Sequence, residues 1–269
     1  MIPTVGLENR SGANLNKRLS EKIVVAAGIV CLSGSSSSAE EHKMSAECYL
    51  IEAATERKAT GTHTKLDVKD VPANCLKVGD FATNFDLPNA KGTFIKLTDL
   101  LTEGPVVLAF YRGSWCPFCN RELHDLQEIL PQIKASGASL VAISPQLPTS
   151  SAATVLKNGL SFEVLSDVGN HTGKGYGLVY SVPKLERPFY ALFGADLPKY
   201  NGDESFEIPL PATYIIDKSM KIRYAFVDID YKKRLSPAEI LKQLNLISKE
   251  KSSFDKQPRV FARSCVLKY

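Results

Sequence analysis

The stretch that decides the fold is "GPVVLAFYRGSWCPFCNRELHDLQ", residues 104–127. Its first part, "PVVLAFY" (105–111), is a continuous apolar run of the kind found in strands buried on both faces of a sheet. Pro117 suits the first turn of a helix, where its missing N–H costs nothing. Leucines then recur at helical spacing. The stretch therefore predicts a buried strand, a short loop and an amphipathic helix.

Strands and helices continue to alternate outward from this junction. Further strands are predicted at 139–144, 162–167, 212–217 and 221–228, and further helices at 149–158 and 236–244. The first strand, the helix and "SLVAIS" form a βαβ unit, which is expected to be right-handed. The last two strands form an antiparallel hairpin around Lys218–Met220. Ser236, Pro237 and Glu239 make a capping box for the last helix. The predicted fold class is α/β, with a central mixed β-sheet flanked by helices and with N- and C-terminal extensions.

The chain divides into four predicted regions. These are a disordered or targeting tail (1–45), a short helix and linker (46–76), a folded domain (77–247) and a basic C-terminal tail (248–269). Lys17, Arg18 and the apolar run after them loosely resemble a signal peptide, but that run is too short to span a bilayer. A mobile tail is favoured over a targeting segment. Within the domain, 180–208 is rich in Pro, Gly and aromatic residues and is predicted to be an insertion.

The composition argues against a protein that binds nucleic acid. The 269 residues are 44% apolar and carry a formal net charge of +4. Because five basic residues and one acid lie in 251–269, the rest of the chain is near neutral and has no basic stripe for phosphates. Four of the six cysteines are scattered singly, unlike the framework of a small secreted domain. We expect a cytoplasmic protein with no nucleic-acid partner and no membrane partner.

Cys116 and Cys119 form a CxxC pair at the predicted start of a helix. Free N–H groups and the helix dipole favour an anion there, which lowers the pKa of the first thiol. The second cysteine, one turn on, can attack a mixed disulfide or sulfenic acid formed on the first. Arg112 adds positive charge, and Trp115 is predicted to wall one side of the site. Pro211 comes directly before a strand. A cis peptide bond there would leave backbone groups free to face a sulfur ligand; the equally favoured alternative is an ordinary proline at the entry of a strand.

Other candidate sites are weaker. A structural zinc site needs four ligands, and the sequence has no second CxxC and no HxxxH, so no metal is predicted. His124 is interpreted as a solvated surface histidine, and Asp217 as the residue that initiates the hairpin turn.

Five blocks occur in order: the opening stretch, then "GASLVAISPQ", "LSFEVLSD", "LPATYIID" and "AFVDIDYKKRLSPAEIL". Together they resemble the alkyl hydroperoxide reductase/thiol-specific antioxidant (AhpC/TSA) family of the thioredoxin-like superfamily, and in particular peroxiredoxin-like proteins with a Trp-Cys-Pro-x-Cys motif. The resemblance covers about residues 77–247. It implies a thioredoxin-like fold, no cofactor and reduction of a peroxide or a disulfide, and it is compatible with a homodimer.

The resemblance leaves the attacking sulfur undecided. Compared with thioredoxins, Cys116 and Cys119 match the first and second cysteines, and Pro211 matches the cis-proline. Peroxiredoxins have the pattern Pro-x-x-x-Thr-x-x-Cys, whose last residue attacks the peroxide. In this sequence Arg112 takes the place of the Pro and Cys116 the place of the Thr. Cys119 then stands at the position of the peroxide-reactive Cys. The arginine that precedes the final core strand in peroxiredoxins is not evident, since residues 212–214 are Ala-Thr-Tyr.

Three functions follow from these observations. The favoured one is a thiol peroxidase that reduces hydroperoxides, closes a Cys116–Cys119 disulfide and is recycled by a thioredoxin or glutathione system. The second is a dithiol–disulfide oxidoreductase acting on protein disulfides. The third is an interaction module with vestigial cysteines, whose thiols would keep the free pKa of about 8.5.

Overall fold

The computed structural model describes residues 68–255, with side chains described as far as residue 250. The predicted tail 1–45, residues 46–67 of the predicted helix and linker, and residues 256–269 lie outside this range. In chain order the elements are a 3-10 turn (Val68–Asp70), α1 (Val71–Asn74), β1 (Asp86–Pro88), β2 (Phe94–Lys96), α2 (Leu97–Glu103), β3 (Val106–Phe110), α3 (Pro117–Glu128), α4 (Leu130–Ala135), β4 (Ser139–Ser144), α5 (Pro148–Asn158), β5 (Glu163–Ser166), α6 (His171–Gly175), β6 (Val179–Ser181), α7 (Arg187–Leu192), α8 (Leu197–Asn201), β7 (Glu207–Pro209), β8 (Ala212–Ile216), β9 (Ile222–Val227) and α9 (Pro237–Asp255).

A five-stranded mixed sheet with the order β5-β4-β3-β8-β9 lies at the centre of the fold. β3, β4 and β5 run parallel. β8 pairs antiparallel with β3 on one side and with β9 on the other. This topology confirms the predicted mixed sheet and the predicted hairpin. None of the helices in the described range is both long and apolar enough to cross a bilayer.

The apolar run of β3 is buried on both faces of the sheet, as predicted. Val107, Ala109 and Tyr111 pack on one face with the buried side of α3. The alternate residues of the strand pack on the other face with α2 and a cluster of tyrosines. Because successive side chains of a strand point to opposite faces, an unbroken apolar run produces two cores, one on each side of the sheet.

The folded part begins earlier than residue 77. Val71 and Leu76 are buried in the core, and the Leu76 N–H donates to the Tyr176 carbonyl at 3.0 Å. Gly177 has φ +70°, and a Cβ on it would lie 2.3 Å from the Asn74 carbonyl oxygen. Residues 68–76, predicted to belong to a linker, are therefore docked against the domain. Leu76 and Asn74 meet Tyr176 and Gly177, which lie far along the chain, so the docking is visible only in three dimensions.

The predicted insertion is ordered. Its ends pair as the two-stranded antiparallel sheet β6-β7, and α7 and α8 lie between them. The segment exposes four large apolar side chains: Leu185, Phe189, Leu192 and Phe193. A two-stranded stem thus holds an apolar helical loop at the surface.

α9 makes one of the two hydrogen bonds of its predicted capping box. The Ser236 hydroxyl accepts from the Glu239 N–H at 3.3 Å. The Glu239 carboxylate instead accepts from Lys242 and Gln243 on its own helix. The helix also runs to Asp255, beyond the predicted end of the domain.

Candidate active site

Cys116 is the residue that caps the start of α3, and Pro117 takes the first helical position, as predicted. The loop before it turns at Gly113, whose φ is +150° and on which a Cβ would lie 2.3 Å from Trp115 Nε1. Only a glycine leaves room there for the indole to fold back over the loop.

A buried glutamine holds this loop in place. Gln146, which follows β4, accepts from the Ser114 N–H at 2.9 Å and donates to the Ser114 hydroxyl at 3.0 Å. Asn120 donates to the Ser114 carbonyl at 2.7 Å. The CxxC loop is therefore tied both to the sheet and to its own helix.

The structure brings the two predicted cysteines together, each beside its own arginine. Both thiols are free and almost fully buried, with exposed fractions of 1% for Cys116 and 0% for Cys119. Arg112 Nη1 lies 3.9 Å from Cys116 Sγ. Arg234 Nη2 lies 3.4 Å from Cys119 Sγ. Two positive charges thus flank the sulfur pair.

The two thiols ionise differently. A hydrogen bond from the Cys119 thiol lowers the pKa of Cys116 to about 6; burial opposes this shift, while the Arg112 charge and the Cys119 backbone N–H support it. Burial raises the pKa of Cys119, and the hydrogen bond to Cys116 and the Cys116 charge raise it further. These opposite shifts favour a Cys116 thiolate paired with a Cys119 thiol.

Arg112 is buried among three aromatic rings, here called the aromatic enclosure: Trp115, Tyr190 and Tyr231. Its guanidinium carbon lies 4.8 Å from the Trp115 ring centroid, 5.5 Å from that of Tyr190 and 4.1 Å from that of Tyr231. It donates to the Tyr190 hydroxyl at 2.7 Å. Ring faces attract a cation, so the enclosure holds the charge beside Cys116. Within the described part of the chain, Arg112 Nε has no hydrogen-bond partner.

A buried ion pair lies beside Cys119, and sequence reasoning did not find it. Arg234 Nε lies 2.5 Å from a Glu122 carboxylate oxygen, and the Glu122 side chain is only 6% exposed. Burial raises the pKa of Glu122 to about 7, against the opposing charge of Arg234. The sequence could have indicated the buried carboxylate, because Glu122 follows Cys119 by one helical turn on the apolar side of α3. Arg234 lies 115 residues from Cys119 and carries no signal in the sequence.

Pro211 does not have the predicted cis geometry. The described chain contains no cis peptide bond. The Leu210 N–H donates to the Leu178 carbonyl at 2.9 Å, and β8 begins at Ala212. Because β7 leads into β8 through only two residues, an extended trans connection suffices.

His124 and Asp217 have the ordinary roles predicted for them. His124 is exposed on α3, with Nδ1 3.8 Å from the Glu128 carboxylate on the next turn. Asp217 accepts from the Ser219 N–H at 2.8 Å and from Arg223 at 3.1 Å, which closes the hairpin turn.

Comparison with known proteins identifies the family. The model of the AhpC/TSA family matches residues 78–225, more than half of the chain. The chain belongs to the AhpC/TSA family. This AhpC/TSA protein is similar to Peroxiredoxin Bcp of Escherichia coli, with 30% identity over 105 residues, 39% of this chain and 67% of that protein. It is also similar to the thiol-disulfide oxidoreductase ResA of Halalkalibacterium halodurans, with 29% identity over 103 residues, 38% of this chain and 57% of ResA.

Solved structures agree on the fold of this AhpC/TSA protein. Peroxidoxin BcpB of Mycobacterium tuberculosis superposes with a TM-score of 0.51 and 23% identity, covering 64% of this chain and 98% of that one. A yeast mitochondrial 1-Cys peroxiredoxin, described as resolved by glutathione/thioredoxin systems, gives a TM-score of 0.52 and 17% identity, covering 66% and 78%. These likenesses confirm the thioredoxin-like fold. The family match and the similarity to Peroxiredoxin Bcp make the protein an oxidoreductase of the peroxiredoxin type.

Proposed function

We propose that the protein is a thiol peroxidase in which Cys116 attacks the hydroperoxide. The observation that carries this proposal is the unequal ionisation of the pair: Cys116 has its pKa lowered to about 6 and Cys119 has its pKa raised. The thiolate, and not the thiol, is the nucleophile. Cys116 is therefore the sulfur that is ready to react at neutral pH.

The first step transfers two electrons from sulfur to oxygen. The Cys116 thiolate attacks one peroxide oxygen, the O–O bond breaks, and Cys116 becomes a sulfenic acid. The leaving oxygen takes a proton from solvent and departs as an alcohol or water. Negative charge develops on the leaving oxygen. The Arg112 guanidinium, positive and with an unpartnered Nε, is the group in this site suited to stabilise that charge.

The second step forms a disulfide. Cys119 attacks the Cys116 sulfur, the S–O bond breaks, and water is released. A thioredoxin or glutathione system then supplies the two electrons that restore the thiols. We further propose the cytoplasm as the setting and a homodimer as the assembly.

A dithiol–disulfide oxidoreductase is the second candidate. The complete Trp-Cys-x-x-Cys motif and the similarity to ResA favour it. Both sulfurs are buried in this reduced form, which favours a small hydroperoxide over a protein disulfide as the molecule that reaches the Cys116 thiolate. A vestigial interaction module fits poorly, because its thiols would keep a free pKa.

Parallel assays of the purified protein test the proposal. We expect the rate of hydroperoxide consumption with a thioredoxin or glutathione reductant to exceed the rate of insulin disulfide reduction. Cys116→Ser should abolish the hydroperoxide consumption. Cys75→Ser is the matched control, since Cys75 is a buried free thiol with a raised pKa outside the pair. Brisk insulin reduction without peroxide turnover would support the second candidate instead.

A further inference from the structure

The loop between β9 and α9 places Arg234 against the start of α3. Its Nη2 contacts Cys119 Sγ at 3.4 Å, and its Nε contacts Glu122 at 2.5 Å. The guanidinium also donates to the carbonyls of Tyr231 and Lys233, so its position is fixed from several sides. One largely buried cation therefore joins a thiol to a carboxylate.

Cys119 has to change its reactivity between the two steps of the proposed reaction. While Cys116 is a thiolate, the Cys119 thiol donates a hydrogen bond to it, and the negative charge opposes ionisation of Cys119. Once Cys116 has become a neutral sulfenic acid, that charge is gone. Burial is then the main factor that keeps Cys119 protonated, and the Arg234 charge is the main one that opposes it.

We propose that Arg234 activates Cys119 for disulfide closure, by stabilising the Cys119 thiolate and by holding Glu122 ready to take its proton. This inference rests on the proposed function. The Cys119 S–H proton passes to the Glu122 carboxylate, the sulfur attacks Cys116, the S–S bond forms, and the S–O bond breaks. The proton then joins the departing hydroxide as water, and Glu122 is ionised again. The hydroperoxide of the first step has supplied the oxidation.

The pH dependence of closure follows from the charges around the pair. Cys119 faces Cys116, Arg112, Glu122, Arg234 and the buried Tyr111 hydroxyl. Glu122 additionally faces Asp125 on its own helix. The two arginines favour the Cys119 thiolate, whereas Glu122 and Cys116 oppose it. Loss of Arg234 therefore moves closure to higher pH.

Trp115 makes the two steps separately observable, because it is the only tryptophan of the chain and directly precedes Cys116. In stopped-flow fluorescence of the full chain, we expect a peroxide-dependent phase and a later peroxide-independent phase of disulfide closure. Arg234→Met should slow the later phase about tenfold at neutral pH for each pH unit by which the pKa of Cys119 rises. Because the Arg234 charge also favours the Cys116 thiolate, the first phase is compared on its high-pH plateau, where it should be unchanged. Glu122→Gln should slow the later phase, and Arg234→Lys should restore part of it.

Arg223→Met is the matched control, since Arg223 also pairs with two carboxylates, those of Asp217 and Glu250. It should leave both phases unchanged. An Arg234→Met protein that closes its disulfide at the wild-type rate and pH would overturn the role of Arg234. A wild-type protein with no peroxide-dependent phase would instead refute the proposed function.

A second measurement needs no peroxide. In Cys116→Ser protein, alkylation of Cys119 is followed against pH by peptide mass spectrometry, which separates it from the other cysteines. We expect Arg234→Met to shift the midpoint upward by at least one pH unit in protein whose thermal unfolding remains cooperative. An unchanged midpoint contradicts the inference whatever the protein does with hydroperoxides.

Discussion

The Arg112 guanidinium donates a hydrogen bond to the Tyr190 hydroxyl at 2.7 Å, although 78 residues separate the two side chains. Tyr190 also packs edge-on against Trp115, with ring centroids 5.6 Å apart. It belongs to α7, in the ordered insertion. The insertion therefore supplies one ring of the aromatic enclosure around Arg112, which lies beside Cys116.

Removal of the Tyr190 ring from the aromatic enclosure should expose Cys116. Tyr190→Ala deletes both the ring and the hydrogen bond, so we expect iodoacetamide to alkylate Cys116 several times faster than in the wild type. Tyr190→Phe keeps the ring and should give a smaller increase. Phe189→Ala is the control, because Phe189 is the preceding residue and is already 61% exposed. Equal rates in all four proteins would show that access to Cys116 does not depend on Tyr190.

Single cysteine variants decide which sulfur attacks. We expect Cys119→Ser protein, treated with hydroperoxide and a sulfenic-acid probe, to be labelled at residue 116, because the attacking thiolate is retained and cannot be resolved. Cys116→Ser protein should not be labelled at Cys119, whose pKa is raised by burial. The reverse pattern would favour Cys119, as the comparison with the peroxiredoxin Pro-x-x-x-Thr-x-x-Cys pattern predicts.

The first step should follow the ionisation of Cys116. Because the reactive form is the thiolate and its pKa is lowered to about 6, we expect the peroxide-dependent rate to rise with pH, with a midpoint near 6 and a plateau above it. Arg112→Met removes a charge that favours the thiolate. The midpoint should move upward, and the rate below the plateau should fall about tenfold for each pH unit by which the midpoint rises. A midpoint near the free-thiol value in the wild type would contradict this assignment.

The packing of α3 on the sheet should dominate the stability of the site. Leu123 is fully buried in the same core as both cysteines, so Leu123→Ala leaves a cavity and should cost about 2–5 kcal/mol in the free energy of unfolding. Urea denaturation measures this loss. Leu156→Ala is the control, since Leu156 is 82% exposed on α5 and should lose little. Equal losses of unfolding free energy in the two variants would mean that the packing of Leu123 contributes no more to stability than that of an exposed leucine.

Much of the fold could be predicted because local patterns encode it. The apolar run before Arg112 specifies a strand covered on both faces, and Cys116-Pro117 specifies where a helix can begin. Residues 68–76 could not be placed from the sequence, since they dock against Tyr176 and Gly177, far along the chain. The cis geometry expected for Pro211 came from the resemblance to thioredoxins, whereas trans is the default for a peptide bond before proline.

By itself, the sequence determined the strand–helix junction, the position of both cysteines at the helix start and the positive charge of Arg112. These depend on residues within a few positions of one another, where backbone geometry and side-chain type suffice. Only the tertiary structure decided what surrounds the sulfurs: Tyr190 and Tyr231 over Arg112, and Arg234 with Glu122 beside Cys119. Ionisation depends on burial and on charges a few ångströms away, and chain folding brings those groups together from distant positions that no local pattern connects.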